Sequence, residues 1–427
     1  MQENVEKMDV ETKDTKSSSK IKFNKLDIIG WVIMGIGIII CTAMLIEIKK
    51  SVDYIEEYKT SVESNYANAA EYAATVAEIN SYYDTYALKN GADFDLCTDA
   101  ALTYYMAGLN DKYATYMTPE SYEKTTEANN ERSTGIGILV SYNEEHGLRI
   151  AKVYPNSAAE EAGLQYGDKI IYAGGTYLED VTYNEFLKCL RGEVGDTLTI
   201  KYMRGGEEYE IDVVLKNYDL RSVSSRLVND NTAYVEVTDF SLKTHEEFIP
   251  LMSQYRRDGI ENYIIDLRNN GGGFLDTVVP MIDFMVGKGT IVTITDCNGV
   301  QYYEAKSDSK EFHGNIVVLI NESSASASEL FAQNMKDFKK AYVIGTQSYG
   351  KGTVLSEFKL TNGGGITLST GMYKTNSGAE LEDVGVTPDL VVELTEEQKK
   401  NYYFLSDSED SQMAAAIEYL NNISSNN

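Results

Sequence analysis

Residues 315–345 read NIVVLINESSASASELFAQNMKDFKKAYVIG. NIVVLI is a short apolar run rich in β-branched residues and reads as a buried strand. Leu330, Phe331, Met335 and Phe338 recur at helical spacing, and AYVIG is again a strand. Strand, helix and strand joined by loops this short imply parallel strands linked by a right-handed crossover. ESSASASE, residues 322–329, therefore occupies a strand-to-helix turn at the carboxyl end of a strand, where sites form in such sheets. That placement excludes a flexible linker. Two readings of Ser326 remain: with Glu329 it fits the S-x-x-E capping box, a structural role of about 1 kcal/mol, or it is a nucleophile.

A serine hydroxyl needs a base to take its proton. The chain has three histidines, His146, His245 and His313, and none sits in a motif. No G-x-S-x-G is present, and His313 reads as a surface residue. A lysine serves instead if burial lowers its pKa from about 10.4 toward neutrality. YGKGTV sets Lys351 between two glycines on the loop after the next strand, at the edge of the sheet that carries Ser326. An S-x-x-K match at Ser307 to Lys310 lies in a polar turn and reads as incidental.

Upstream, TAYVEV and YIIDL read as strands, FLDTVVPMIDFMV as a helix and TIVTITDCNGVQYYEA as a hairpin, which gives an α/β core over residues 219–395. Residues 133–218 differ: short strands and turns with two small helical pieces, AAEEAG and YNEFLKCLRG. TGIGI, SAAEEAGLQYGDKI and LRGEVGDTLTIKYMRGG together resemble a PDZ domain. The resemblance implies capture of apolar protein C-termini at Ile136, Gly137 and Ile138, where free backbone N–H groups precede an exposed strand. A closed structural β domain is the alternative. Before it, TPESYEKTTEANNERS reads as a connection, within a helical stretch of residues 91–132.

With 66 acids against 38 bases the chain carries a formal charge of −28, which repels phosphate backbones and argues against nucleic-acid binding. Ile28 to Ile46 run 19 residues without a charge. At about 1.5 Å per residue they nearly span a hydrocarbon core of about 30 Å, so a single transmembrane helix is expected. Lys16, Lys20, Lys22 and Lys25 hold residues 1–27 in the cytoplasm and place the catalytic part outside. A cleaved signal peptide fits less well, because no small-x-small site follows. Residues 47–90 form a juxtamembrane helix in which Ile55, Tyr58, Val62, Asn65, Ala69, Tyr72, Val76, Ile79, Tyr83 and Tyr86 make a heptad seam, suggesting a homodimer or a helix lying on its own domain. A tail with a short helix fills residues 396–427. Cys97, Cys189 and Cys297 lack metal-site or disulfide-framework spacing.

DLRNNGGGFLD, NESSASASELFAQNMKD, AYVIGTQSYGKGTV and DVGVTPD, in this order, resemble the motif set of the carboxyl-terminal processing peptidases, or tail-specific proteases. The resemblance covers about residues 90 to 395. It implies a serine endopeptidase with a crotonase-like α/β core and an inserted PDZ domain. Ser326 would be nucleophile and Lys351 general base, the backbone N–H groups of Gly272 and Ala327 would form the oxyanion hole, and no metal or organic cofactor is implied. Arg191 matches a PDZ position that would couple peptide binding to assembly of the site. Two departures stand out: Gly271 replaces a usual proline, and Leu355 replaces a glutamine that helps to orient the lysine, with Gln347 or Ser356 as polar substitutes nearby. A catalytically impaired PDZ-bearing membrane scaffold is the rival reading. A histidine-triad protease beside a PDZ domain lacks the glycine-bracketed serine.

Overall fold

The computed structural model describes residues 25–88, 91–128, 132–308 and 310–426, in two compact units, Met1–Asp93 and Phe94–Asn427. The first unit contains one helix, Lys25–Tyr86. Among the described residues no helix is long and apolar enough to cross a membrane. The transmembrane expectation for Ile28 to Ile46 is thus not carried by the structure, and most side chains of that run lie outside the described residues. Residues 1–24, most of the expected cytoplasmic tail, also lie outside them. On the heptad seam, Asn65, Ala69, Tyr72, Ile79 and Tyr86 are exposed, while the side chains of Ile55, Tyr58 and Val62 are not described.

In the second unit the central sheet has six strands, ordered β1 (Val223–Asn229), β2 (Thr232–Val237), β3 (Asn262–Asp266), β4 (Asn315–Ile320), β5 (Tyr342–Gly345) and β6 (Leu390–Val391). The first pair is antiparallel and every later pair parallel, each parallel pair joined by a crossover connection. Strand β4 is buried on both faces. Ile316, Val318 and Ile320 point into the larger core with Phe331 and Met335, whereas Val317 and Leu319 pack with Met413, Ala416 and Leu420. The period-2 alternation of a strand serves two apolar layers here, which explains the unbroken apolar run. The residue 289–307 hairpin pairs with Gly365–Lys374 in a second, antiparallel sheet, which also takes in the Thr353–Lys359 strand that follows Lys351.

Two segments read as peripheral take part in the folded unit. TPESYEKTTEANNERS contains the helix Pro119–Ala128, which opens with proline at its first position and with Thr118 accepting from Ser121 N–H at 3.2 Å. Its polar surface, including the Lys124–Glu120 pair, hid the helix from a hydrophobic-period reading. The expected C-terminal tail is part of the core, because the helix Ser411–Asn426 covers the second face of the sheet. Leu420, 1 % exposed, tests this. Leu420→Ala should cost about 2–5 kcal/mol in urea unfolding, and an unchanged midpoint would contradict the packing.

Candidate active site

Two alternate serines of ESSASASE build the turn. Ser324 Oγ donates to Leu267 O at 2.8 Å and Ser328 Oγ to Asn270 O at 2.9 Å, so both are buried ties to the glycine loop that follows β3. Ser326, between them, lines a cavity of about 450 Å³ together with Lys351. Its backbone has φ 55° and ψ −114°, a region non-glycine residues rarely occupy. Such strain, of order 1–3 kcal/mol, persists where the surroundings over-determine it. It gives a sharp strand-to-helix turn that lifts the serine toward the cavity, and the flanking Ala325 and Ala327 are small enough to permit it.

Glu329 is what over-determines it. Fully buried, its Oε2 accepts from Ser326 N and from Lys351 N, each at 2.8 Å, and its Oε1 from Gly350 N at 2.7 Å and Ser348 Oγ at 2.5 Å. The capping-box reading is therefore half the story: the carboxylate does cap Ser326 N–H, and it also ties down the lysine loop. Tyr373 Oη donates to Lys351 O at 2.6 Å and lies 3.1 Å from Ser326 O. Burial pushes its phenol well above its usual pKa, so it stays a donor. Both residues are thus held through N–H by one carboxylate and through C=O by one phenol. The Lys351 amine is half-buried, and desolvation lowers its pKa against the opposing carboxylates of Glu382 and Glu329.

Of the expected oxyanion donors, Ala327 opens the helix Ala327–Asp337, where a first-turn N–H has no carbonyl one turn back. Gly272 approaches closely: at φ +105° a Cβ on it would stand 2.7 Å from Ala325 O and 2.8 Å from Ser326 Cβ, so glycine is required. Its N–H, however, donates to Asn270 Oδ1 at 2.9 Å. At Gly271 a Cβ would meet nothing within 4 Å, so a side chain has room to start there. Leu355 lines the cavity. Neither polar neighbour replaces the glutamine: Gln347 Nε2 donates to Val384 O at 2.6 Å, and the Ser356 hydroxyl pairs with Thr370 at 2.6 Å. None of the three histidines lines this cavity. Apolar walls come from Phe274, Leu275, Val278, Leu330 and Val354.

Ile136, Gly137 and Ile138 come together at a second groove, beside the open edge of the strand Ile138–Asn143 and facing Leu187 and Leu190. Gly137 is needed there, since at φ +79° a Cβ would fall 2.2 Å from Ser157 Cβ. Arg191 lines this groove and not the Ser326 cavity. The PDZ-like part meets the core through the C-terminal segment: Arg149 donates to Asn401 Oδ1 at 2.9 Å and stacks 3.6 Å from the Phe404 ring centroid, and Tyr166 Oη donates to Tyr403 O at 3.0 Å.

Comparison with known proteins agrees with this layout. Residues 231–392 match peptidase family S41, and residues 134–215 match the PDZ domain. A carboxy-terminal-processing protease of Bartonella bacilliformis is 31 % identical over 309 residues, covering 70 % of this chain and 71 % of the relative. A carboxyl-terminal-processing protease of Synechocystis is 28 % identical, covering 69 % and 71 %. A putative S41 protease structure from Bacteroides fragilis superposes with a TM-score of 0.56 at 17 % identity, over 78 % of this chain and 93 % of that one, a likeness of fold. The chain belongs to peptidase family S41, the carboxyl-terminal processing proteases, and is a serine-type peptidase carrying a PDZ domain.

Replacing Glu329 by Gln turns one acceptor oxygen into an N–H₂ group facing two donors. Glu329→Gln should cost at least about 2 kcal/mol of stability and lower kcat about 10²-fold. Wild-type turnover in a peptidase assay would contradict this assignment.

Proposed function

We propose that the chain is a membrane-anchored, extracytoplasmic serine endopeptidase that captures protein C-termini in its PDZ groove and cleaves them with a Ser326/Lys351 dyad on a crotonase-like core. The observation that carries the dyad is Glu329 Oε2, which accepts from the backbone N–H of both residues and holds them on one cavity.

Neutral Lys351 takes the proton as Ser326 Oγ attacks the scissile carbonyl. The resulting oxyanion is met by Ala327 N–H, joined by Gly272 N–H once it gives up its bond to Asn270. Collapse breaks the C–N bond, and the lysine ammonium returns the proton to the leaving amine. Water, deprotonated by the same lysine, then hydrolyses the acyl-enzyme. The apolar walls suit an apolar residue before the cleaved bond. The exposed edge strand and its glycine turn offer a tail an extra-strand position and N–H groups for its terminal carboxylate, with Arg191 at the mouth as a coupling residue.

Support for the anchor is the 19-residue uncharged run of Ile28 to Ile46, in which the described side chains of Ile36, Ile40, Met44, Leu45 and Ile46 are exposed. Its test is fractionation: the chain should sediment with membranes and be released by detergent but not by salt, and release by salt alone would refute the anchor. The exposed Tyr72, Ile79 and Tyr86 on the seam support a homodimer.

The dyad is tested with an unfolded protein substrate. Ser326→Ala and Lys351→Ala should each abolish cleavage. Because the base must be neutral, the wild-type rate should rise with pH through the lowered pKa of Lys351. A histidine-like rise that survives Lys351→Ala would sink the dyad.

A further inference from the structure

We infer that Tyr113, together with the Thr353 hydroxyl, positions the Lys351 amine, doing the work that a glutamine at position 355 would otherwise do. The inference rests on the reading of Lys351 as general base. Tyr113 lies outside both the protease core and the PDZ domain, on the loop between the helix Phe94–Ala107 and the strand Thr115–Met117.

Among the described residues Lys351 forms no ion pair; its Nζ stands 4.9 Å from the Tyr113 ring centroid, within cation–π range. The same ring takes the Lys112 ammonium at 4.8 Å, and Lys112 is held by Glu382 at 2.8 Å and by Asp383. Glu382 in turn accepts from Gly352 N at 2.7 Å, so the ring's neighbours are tied to the lysine loop. The Tyr113 backbone is fixed as well. Its N–H donates to Asp111 Oδ1 at 3.0 Å, and the Asp111 carboxylate accepts from Ser369 N at 2.8 Å and Ser369 Oγ at 2.9 Å. Ser369 is the cross-strand partner of Leu355. The loop bearing Tyr113 is therefore anchored directly across the sheet from the position where the glutamine is missing.

Two hydroxyls complete the picture. Among the described residues the buried Thr353 Oγ1 has no hydrogen-bond partner, and the buried Tyr113 Oη has only the Lys112 ammonium beside it. Thr353 lines both the Ser326/Lys351 cavity and an adjoining one walled by Tyr113, Lys112 and Glu382. Buried hydroxyls without partners are rare and call for a polar group. On this inference the Lys351 amine, which shares a cavity with Thr353 and faces the Tyr113 ring, reaches these hydroxyls during turnover: when neutral it accepts one O–H and donates N–H to the other. The ring excludes water from the lysine stem while the hydroxyls aim its head. Among the described residues the ionisable groups around the amine include Glu329, Glu382, Lys112, Tyr113, Tyr349, Tyr373 and, across the same cavity, Asp276, with burial the largest influence on it.

The test uses the full chain and casein labelled with a self-quenching fluorophore, in Tyr113→Ala, Tyr113→Phe and Thr353→Val, and in each combined with Leu355→Gln. Tyr113→Ala should lower kcat by about 10- to 100-fold with KM little changed. It should also move the rise of rate to higher pH, because water reaching the amine returns its pKa toward the ordinary value. Tyr113→Phe and Thr353→Val should unfold at the wild-type temperature and still lose rate, and Leu355→Gln should recover part of that loss. Wild-type kcat and pH midpoint in all three single variants, beside an inactive Lys351→Ala, would overturn the inference and leave the dyad standing. Activity retained in Lys351→Ala would overturn both.

Discussion

Everything at this site depends on one buried carboxylate. Among the described residues Glu329 collects four hydrogen bonds and forms no ion pair, and two of the bonds come from the backbone N–H groups of residues 25 apart in sequence, Ser326 and Lys351. A buried acid is costly unless its oxygens are satisfied, and here each oxygen takes two donors. That requirement fixes the lysine loop against the serine turn more firmly than apolar packing would, and it accounts for the left-handed backbone of Ser326. The strain is held by the same bonds that bring the two residues to one cavity.

A second layer of support is long-range. Arg268, immediately before the glycine loop, is buried in a pairing with Asp266 at 2.6 Å and Asp410 at 2.7 Å, and its guanidinium stands 5.0 Å from the Tyr402 ring centroid. Tyr402 and Asp410 belong to the C-terminal segment that also carries Asn401, Tyr403 and Phe404 onto the PDZ domain. The glycine loop and the PDZ domain thus share one strap of chain. Removing a partner from a buried ion pair leaves an uncompensated charge, so this strap is held by electrostatics as well as by the apolar contacts of Met413 and Leu420.

The parallel sheet and the helix after ESSASASE are legible in the sequence, because each rests on local periodicity: alternate residues of β4, or Leu330, Phe331 and Met335 on the helix; the PDZ segment is legible through the resemblance of its motifs. The strand-to-helix turn that carries ESSASASE is legible for the same reason, while the choice of Ser326 within it rests on the family resemblance. What sequence alone misses is decided by contacts distant along the chain. Glu329 looks like a local cap until the lysine loop is folded beside it. The Pro119–Ala128 helix is too polar to show a buried face, and the Ser411–Asn426 helix gains its meaning only from the second face of the sheet. Tyr113 carries no spacing signal at all, being 238 residues from the lysine it touches. Gly272 is a partial case: its close approach to the serine is forced by geometry, yet its N–H is turned toward Asn270.

The central claim is that Ser326 carries the acyl group during turnover. Acid quenching of the full chain while it cleaves an unfolded protein, followed by peptide mass spectrometry, tests it directly. The acyl fragment of the substrate should be found on the peptide containing Ser326 and on no other. Product formation with Ser326 unmodified throughout, or an acyl group on a different residue, would contradict it.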